Sequence, residues 1–333
     1  MIRLCRLDLG PRQVNTSPVR LRALVSSLLL PAAFLGAVRA GGQELPAPLE
    51  APARPSQLSP AEIQIYQWAP TLINWTQKQI DEFPVLHKLR PAAKQTLLPM
   101  ILDRAGQTGT QAYADFPQIA CDETVTSETK NGAKLETKHQ KFRYIVIPRP
   151  AGDVRMLEEY RTDPSGAPPD KFSLGNLFML TTGFASTWLC LNPPEQPDNH
   201  FRYFGTQSIR NRECHVVGFA QDPESARRVG GFGFAGKSSA TLLVQGLVWI
   251  DAQTFQILRV MTWLLAPRED VDLSSEITTV DFDRVQPSGS ERVLWLPRDV
   301  NVWILCRGIG FRNTHHYSDF KLFRVESTIK PAP

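Results

Sequence analysis

From Ile119 to about residue 329 the chain is a succession of strand-length runs, most of them separated by short turns rather than helices. The runs fall at about 119–130, 134–147, 154–162, 200–207, 213–220, 239–250, 254–265, 273–285, 291–305 and 311–329. Parallel strands need long crossovers, so short connections between successive strands predict an antiparallel meander. Asn131-Gly132 between the first two runs is a strong hairpin signal.

The apolar pattern says which strands are covered. Arg143–Ile147 and Leu242–Ile250 are almost continuously apolar, as in strands buried on both faces. Glu276–Val285 mixes charged and apolar residues, as at a partly wet wall. A flat sheet of this width would curl or split. The predicted class is therefore α+β: a strongly curved antiparallel sheet with helices packed on its concave side.

Helical signals precede the strands. Ser59-Pro60-Ala61-Glu62 reads as a helix start, and Ile65, Trp68, Leu72 and Trp75 follow at helical spacing towards Phe83. A second stretch from Val85 to Ala105 is predicted to be kinked at Pro91 and Pro99 and stopped at Gly106. Residues 174–191 read as a buried helix, too short and too interrupted by Thr181, Thr182 and Gly183 for a membrane span.

Residues 1–40 carry an address. Arginines precede the apolar run Ala23–Val38, which ends on Val38-Arg39-Ala40, a pattern that fits a signal peptide cut after Ala40. An uncleaved membrane anchor is the alternative. Residues 41–58, with Pro46, Pro48, Pro52 and Pro55, read as a Pro/Ala-rich tether, and 59–330 as one domain whose first part, 59–105, is helical. The expected location is the periplasm or the exterior. Six arginines and one aspartate leave with the leader, so the chain's net charge of +4 becomes −1. That balance points to no nucleic-acid partner.

Cys121, Cys190, Cys214 and Cys306 are disulfide candidates in an oxidising compartment, with three possible pairings; buried free thiols are the alternative. Without a CxxC pair, no metal or other cofactor is indicated. Gly231–Ser238 (GFGFAGKS) matches the phosphate-loop pattern, but a strand-like run follows where the motif needs a helix, so it reads as a glycine-rich hairpin loop. Asp251, between two apolar runs, reads as a turn former. Glu158 and Glu159 point to opposite faces of a strand, as do His315 and His316, which argues against a paired-carboxylate or two-histidine site. Glu159 and Arg161 share a face and are expected to pair. No catalytic residue is indicated.

The block Gly246–Thr254 (GLVWIDAQT), with Phe116–Glu123 (FPQIACDE), Glu158–Arg161 (EEYR), Leu296-Pro297 and Phe311–His315 (FRNTH), resembles a group of uncharacterised exported bacterial proteins. That group is similar to the lipoprotein-sorting LolA/LolB-like superfamily. The resemblance implies an open half-barrel, with helices as a lid over an apolar cavity that holds acyl chains. It implies a non-catalytic binder of acyl chains or another hydrophobic ligand, with Phe178, Phe184, Trp188, Trp249 and Trp263 as lining. A peripheral encounter with membrane is compatible with that role. The segment 59–105 is extra to the family pattern; if it fills the cavity, the domain is an interaction or sensor scaffold. An unrecognised hydrolase is a further alternative.

Overall fold

A computed structural model gives the architecture; it describes residues 24–27, 58–151, 154–166, 191–226, 230–234 and 239–323. Three helices are α1 (Pro60–Gln67), α2 (Gln77–Asp81) and α3 (Leu98–Ala114). The strands are β1 (Leu24–Ser27), β2 (Arg90–Pro91), β3 (Ile119–Asn131), β4 (Lys134–Ala151), β5 (Val154–Thr162), β6 (Asn199–Ile209) and β7 (Arg212–Gln221). They continue with β8 (Gly230–Phe234), β9 (Ser239–Leu242), β10 (Val244–Asp251), β11 (Ile257–Leu264), β12 (Leu273–Val285), β13 (Leu294–Cys306) and β14 (Ile309–Leu322).

Eleven of these strands form one antiparallel sheet in the order β2-β6-β7-β10-β11-β12-β13-β14-β3-β4-β5. The end strands β2 and β5 are not joined, so the sheet is open. The meander expected from the short turns runs from β10 to β14, whose last member pairs with β3. Asn131↔Lys134 closes the β3–β4 hairpin, with Gly132 at φ +58°, a conformation glycine adopts without steric cost. β1, β8 and β9 make a small separate sheet. The glycine-rich Gly230–Phe234 is thus a strand paired with β9, and β9 rather than a helix is the next element among the described residues.

Two cores lie on opposite faces of the sheet. In β10, Val248 and Ile250 enter one core, which also holds Ile101 and Ala105 of α3. Leu247 and Trp249, in the alternate register, enter the other, beneath Leu58, Tyr66, Leu72, Ile80 and Leu86. The continuous apolar run at 242–250 is therefore explained by cover on both faces. Arg143–Ile147 is corrected: only alternate residues of β4 are buried there. Helix α3 and the N-terminal helices α1 and α2 contribute to different cores, on opposite faces of the sheet.

The segment 58–91 has little regular structure of its own, so its backbone polar groups need partners from the sheet. Gln245 supplies two: its Oε1 accepts from Leu72 N at 2.7 Å and its Nε2 donates to Pro70 O at 3.2 Å. Arg202 donates to Ile73 O and Trp75 O, and Gln207 to Val85 O and His87 O. Gly218 leaves the room that this docking needs, since a Cβ there would sit 2.8 Å from Leu72 Cδ1 and 2.4 Å from Phe204 Cε2.

Ser59 caps α1, as its sequence predicts, and the structure adds a full capping box with Glu62. The stripe beyond it is not one helix, because Pro70 and the capping residue Thr76 divide it. The helix placed at 85–105 is shifted. Pro91 lies in β2, Pro99 is accommodated in the first turn of α3, and the helix runs through Gly106 to Ala114. Gly106 is a contact glycine rather than a stop, since a Cβ there would be 2.7 Å from Leu191 O. The leader, the tether up to residue 57 and the expected helix at 174–190 lie outside the described residues, save for 24–27.

Leu72 has no exposed surface. Leu72→Ala is expected to cost about 2–5 kcal/mol, measured by denaturant unfolding; an unchanged unfolding free energy would make the N-terminal segment a loose appendage.

Candidate ligand-binding face

The face of the sheet that carries α3 is lined by apolar side chains of β3, β4 and β11–β14, interrupted by buried polar groups that include Glu123 and His315, and retains two small gaps. One lies between Ala105, Thr108, Gly109 and Ala112 of α3 and Phe255, Ile257, Phe282 and Trp295 of the sheet. The other is lined by Phe116, Cys121, Tyr144, Val146, Leu296 and Tyr317. Each holds about 20 Å³, room for about one water. Short side chains on α3 create the first void: where the helix crosses β11–β13 it presents glycine, alanine and threonine.

Beside the second void lies a buried charge cluster. Glu123 of β3 has no exposed surface and receives Arg161 of β5 in a two-pronged bond, Nε to Oε2 at 2.5 Å and Nη2 to Oε1 at 2.9 Å. His315 Nδ1 of β14 lies 2.8 Å from Glu123 Oε1. Facing a carboxylate, that nitrogen carries the proton and donates. The Arg161 guanidinium stands 5.4 Å from the Tyr144 ring, and Tyr144 packs on Tyr317 at 5.1 Å.

Burial alone would raise the Glu123 carboxyl, but the Arg161 charge and the His315 bond outweigh it and hold the pKa at about 2. Burial pushes His315 below its ordinary value, against the pull of Glu123, which leaves the ring neutral around pH 7. The cluster therefore carries no net charge. Arg161 reaches across β4 to Glu123, a partner that its strand position alone does not announce. The partner across β4 offers the guanidinium a bidentate fit.

One further carboxyl is exceptional. Glu276 of β12 has a buried Oε2 with no hydrogen-bond partner, and burial pushes its pKa up to about 7.

The sequence-derived lining residues divide. Phe178, Phe184 and Trp188 lie outside the described residues. Trp249 and Trp263 sit on the opposite face, beneath the N-terminal segment, and line neither void. Trp249 is buried with its indole N–H donating to Gln207 Oε1 at 2.8 Å. Trp263 stacks on Trp75 at 6.1 Å and meets Phe83 at 5.8 Å.

Cys121, Cys214 and Cys306 are buried free thiols, so none of the three is bridged; Cys190 lies outside the described residues. Burial pushes Cys214 and Cys306 up to about 11, which keeps them protonated and unreactive. Cys214 and His215 enter opposite faces of β7, and His215 Nδ1 meets Tyr203 OH at 3.1 Å rather than a thiol. Among the described residues no three His, Cys, Asp or Glu side chains converge to hold a metal, and no helix is long and apolar enough to cross a membrane.

Asp251 is the turn former its sequence position predicts. Its Oδ1 accepts from Gln253 N, Thr254 N and Thr254 Oγ1, while Oδ2 accepts from Arg212 Nε at 2.6 Å. His315 turns inward, whereas His316 bonds Asp299 on the exposed face.

No family model and no curated protein matches the chain. Its structure is similar to solved members of the lipoprotein-sorting, LolA-like group. A putative outer membrane lipoprotein-sorting protein domain from Vibrio parahaemolyticus is 11% identical, with 66% of this chain and 91% of that chain covered at a TM-score of 0.37. A DUF1329 family protein from Desulfovibrio piger is 13% identical over 69% and 94% of the two chains, at 0.33. A LolA superfamily protein from Nitrosomonas europaea is 16% identical over 66% and 94%, at 0.30.

The buried pair has a signature in acid. Glu123 is held below its unfolded value of 4.5, so its contribution is complete above that value and is lost as pH falls towards about 2. Melting followed from pH 5 to pH 2 is expected to lose about 3 kcal/mol through this group. Glu123→Gln, which strands Arg161, should lower stability at pH 7 and flatten that acid limb; an identical pH profile in the variant would contradict it.

Proposed function

We propose that the protein is a non-catalytic binder of acyl chains or another hydrophobic ligand, working in the periplasm or outside the cell, with residues 59–330 as the working unit. The observation that carries this reading is an open sheet whose α3 face keeps two gaps lined mainly by apolar side chains. Binding there would gain ~0.8 kcal/mol for each methylene taken from water. A void of about 20 Å³ is too small for a chain as it stands, so entry requires α3 or the side chains beneath it to move aside. Phe178, Phe184 and Trp188, in the segment after β5, are assigned to the ligand's cover. Trp249 and Trp263 are assigned to holding the N-terminal segment.

The interlocked Trp75, Phe83 and Trp263 favour a second reading, an interaction or sensor scaffold with a filled core. Lipid extraction and mass spectrometry of the purified protein, with uptake of a fluorescent fatty acid, separate the two. The carrier reading predicts co-purified or exchangeable lipid, and at least tenfold weaker uptake in Ala112→Phe, which fills the void beneath α3. A lipid-free protein that takes up no fatty acid would support the scaffold.

A further inference from the structure

We infer that the exposed end of the β3–β4 hairpin, with the neighbouring outer surface of β13 and β14, docks on an anionic lipid bilayer. Residues 130–141 carry four lysines against one glutamate. Lys134 pairs with that glutamate, Glu136; among the described residues Lys130 and Lys141 have no acidic partner, and both are exposed on the same face as Leu135. Among them Leu135 stands 60% exposed, an unusual position for leucine on a strand.

The same face of the sheet continues the patch. The N-terminal segment stops at Trp75 and Trp263; beyond them, in cross-strand register, come Ile277 and then Trp303, 46% exposed. Arg312, opposite Trp303 on β14, holds its guanidinium 5.7 Å from that ring and pairs with Glu128. Leu135 lies one row from this line, on β4, next to Lys130. An aromatic ring and a leucine flanked by long cationic stems are the composition of a membrane-interface surface. Phosphates attract the lysines, and the headgroup boundary takes the Trp and Leu. A nucleic acid would use the lysines but leave Leu135 without a role, which makes the bilayer the better fit. The location of this patch does not depend on what the α3 face binds.

Flotation of the full chain with phosphatidylcholine vesicles, with and without phosphatidylglycerol, tests the inference. Binding is expected only with the anionic lipid, and to weaken as salt rises. Removing a lysine's charge should cost roughly fivefold in affinity, so the double variant K130Q/K141Q should lose about twenty-five-fold. Leu135→Ser should weaken binding while leaving its salt dependence in place, and all variants should melt like the parent. Three results would overturn the inference: no binding to anionic vesicles, equal binding to both compositions, or tighter capture by a single-stranded oligonucleotide than by vesicles.

Discussion

The burial of β7 and β10 on both faces is the constraint on which the architecture depends. A strand with apolar side chains on both sides must find a cover for each, because a bare face would leave large apolar surfaces in water. Here α3 supplies one cover and the irregular segment 58–91 the other. The second cover works only because Gln245, Arg202 and Gln207 lend side-chain partners to a backbone that has few of its own. Polar residues in the middle of the sheet therefore act as sockets for a turn-rich segment rather than as a site.

The two faces consequently have different characters. Beneath the N-terminal segment, aromatic rings interlock and the tryptophan indole is satisfied. Beneath α3, short helix residues leave gaps, and at the far side of the sheet a neutral Glu123–Arg161–His315 cluster ties β3, β5 and β14 together under an apolar surface. A buried ion pair of this kind contributes little net stability compared with apolar packing, yet it is expensive to break. Its worth lies in fixing register: a slip of one residue in any of the three strands would turn a charge away from its partner.

Much of this was legible in the sequence. Strand runs bounded by turn residues gave the order of elements, and 154–162 and 273–285 coincide with β5 and β12. The apolar run at 242–250 announced cover on both faces, and Asp251 with Thr254 announced its turn. Helix boundaries were less legible, because Pro99 and Gly106 have two meanings each. Proline starts helices as readily as it breaks them, and glycine makes room as well as stops. The charge cluster was missed although its signal was present: Glu123 stands in the same phase as Ile119, Cys121 and Val125, which places it among inward-facing residues. Tryptophan positions were misleading, since composition does not say which face a residue serves until register is known.

On the proposed reading a ligand enters on the α3 face, and the opposite face is closed to it. A spin-labelled fatty acid titrated into methyl-labelled protein tests this most directly by paramagnetic broadening. The account predicts selective loss of signals from Ile101, Val146 and Ile257, with Leu72, Ile80 and Leu247 untouched. Broadening of the second group, or none at all, would contradict it.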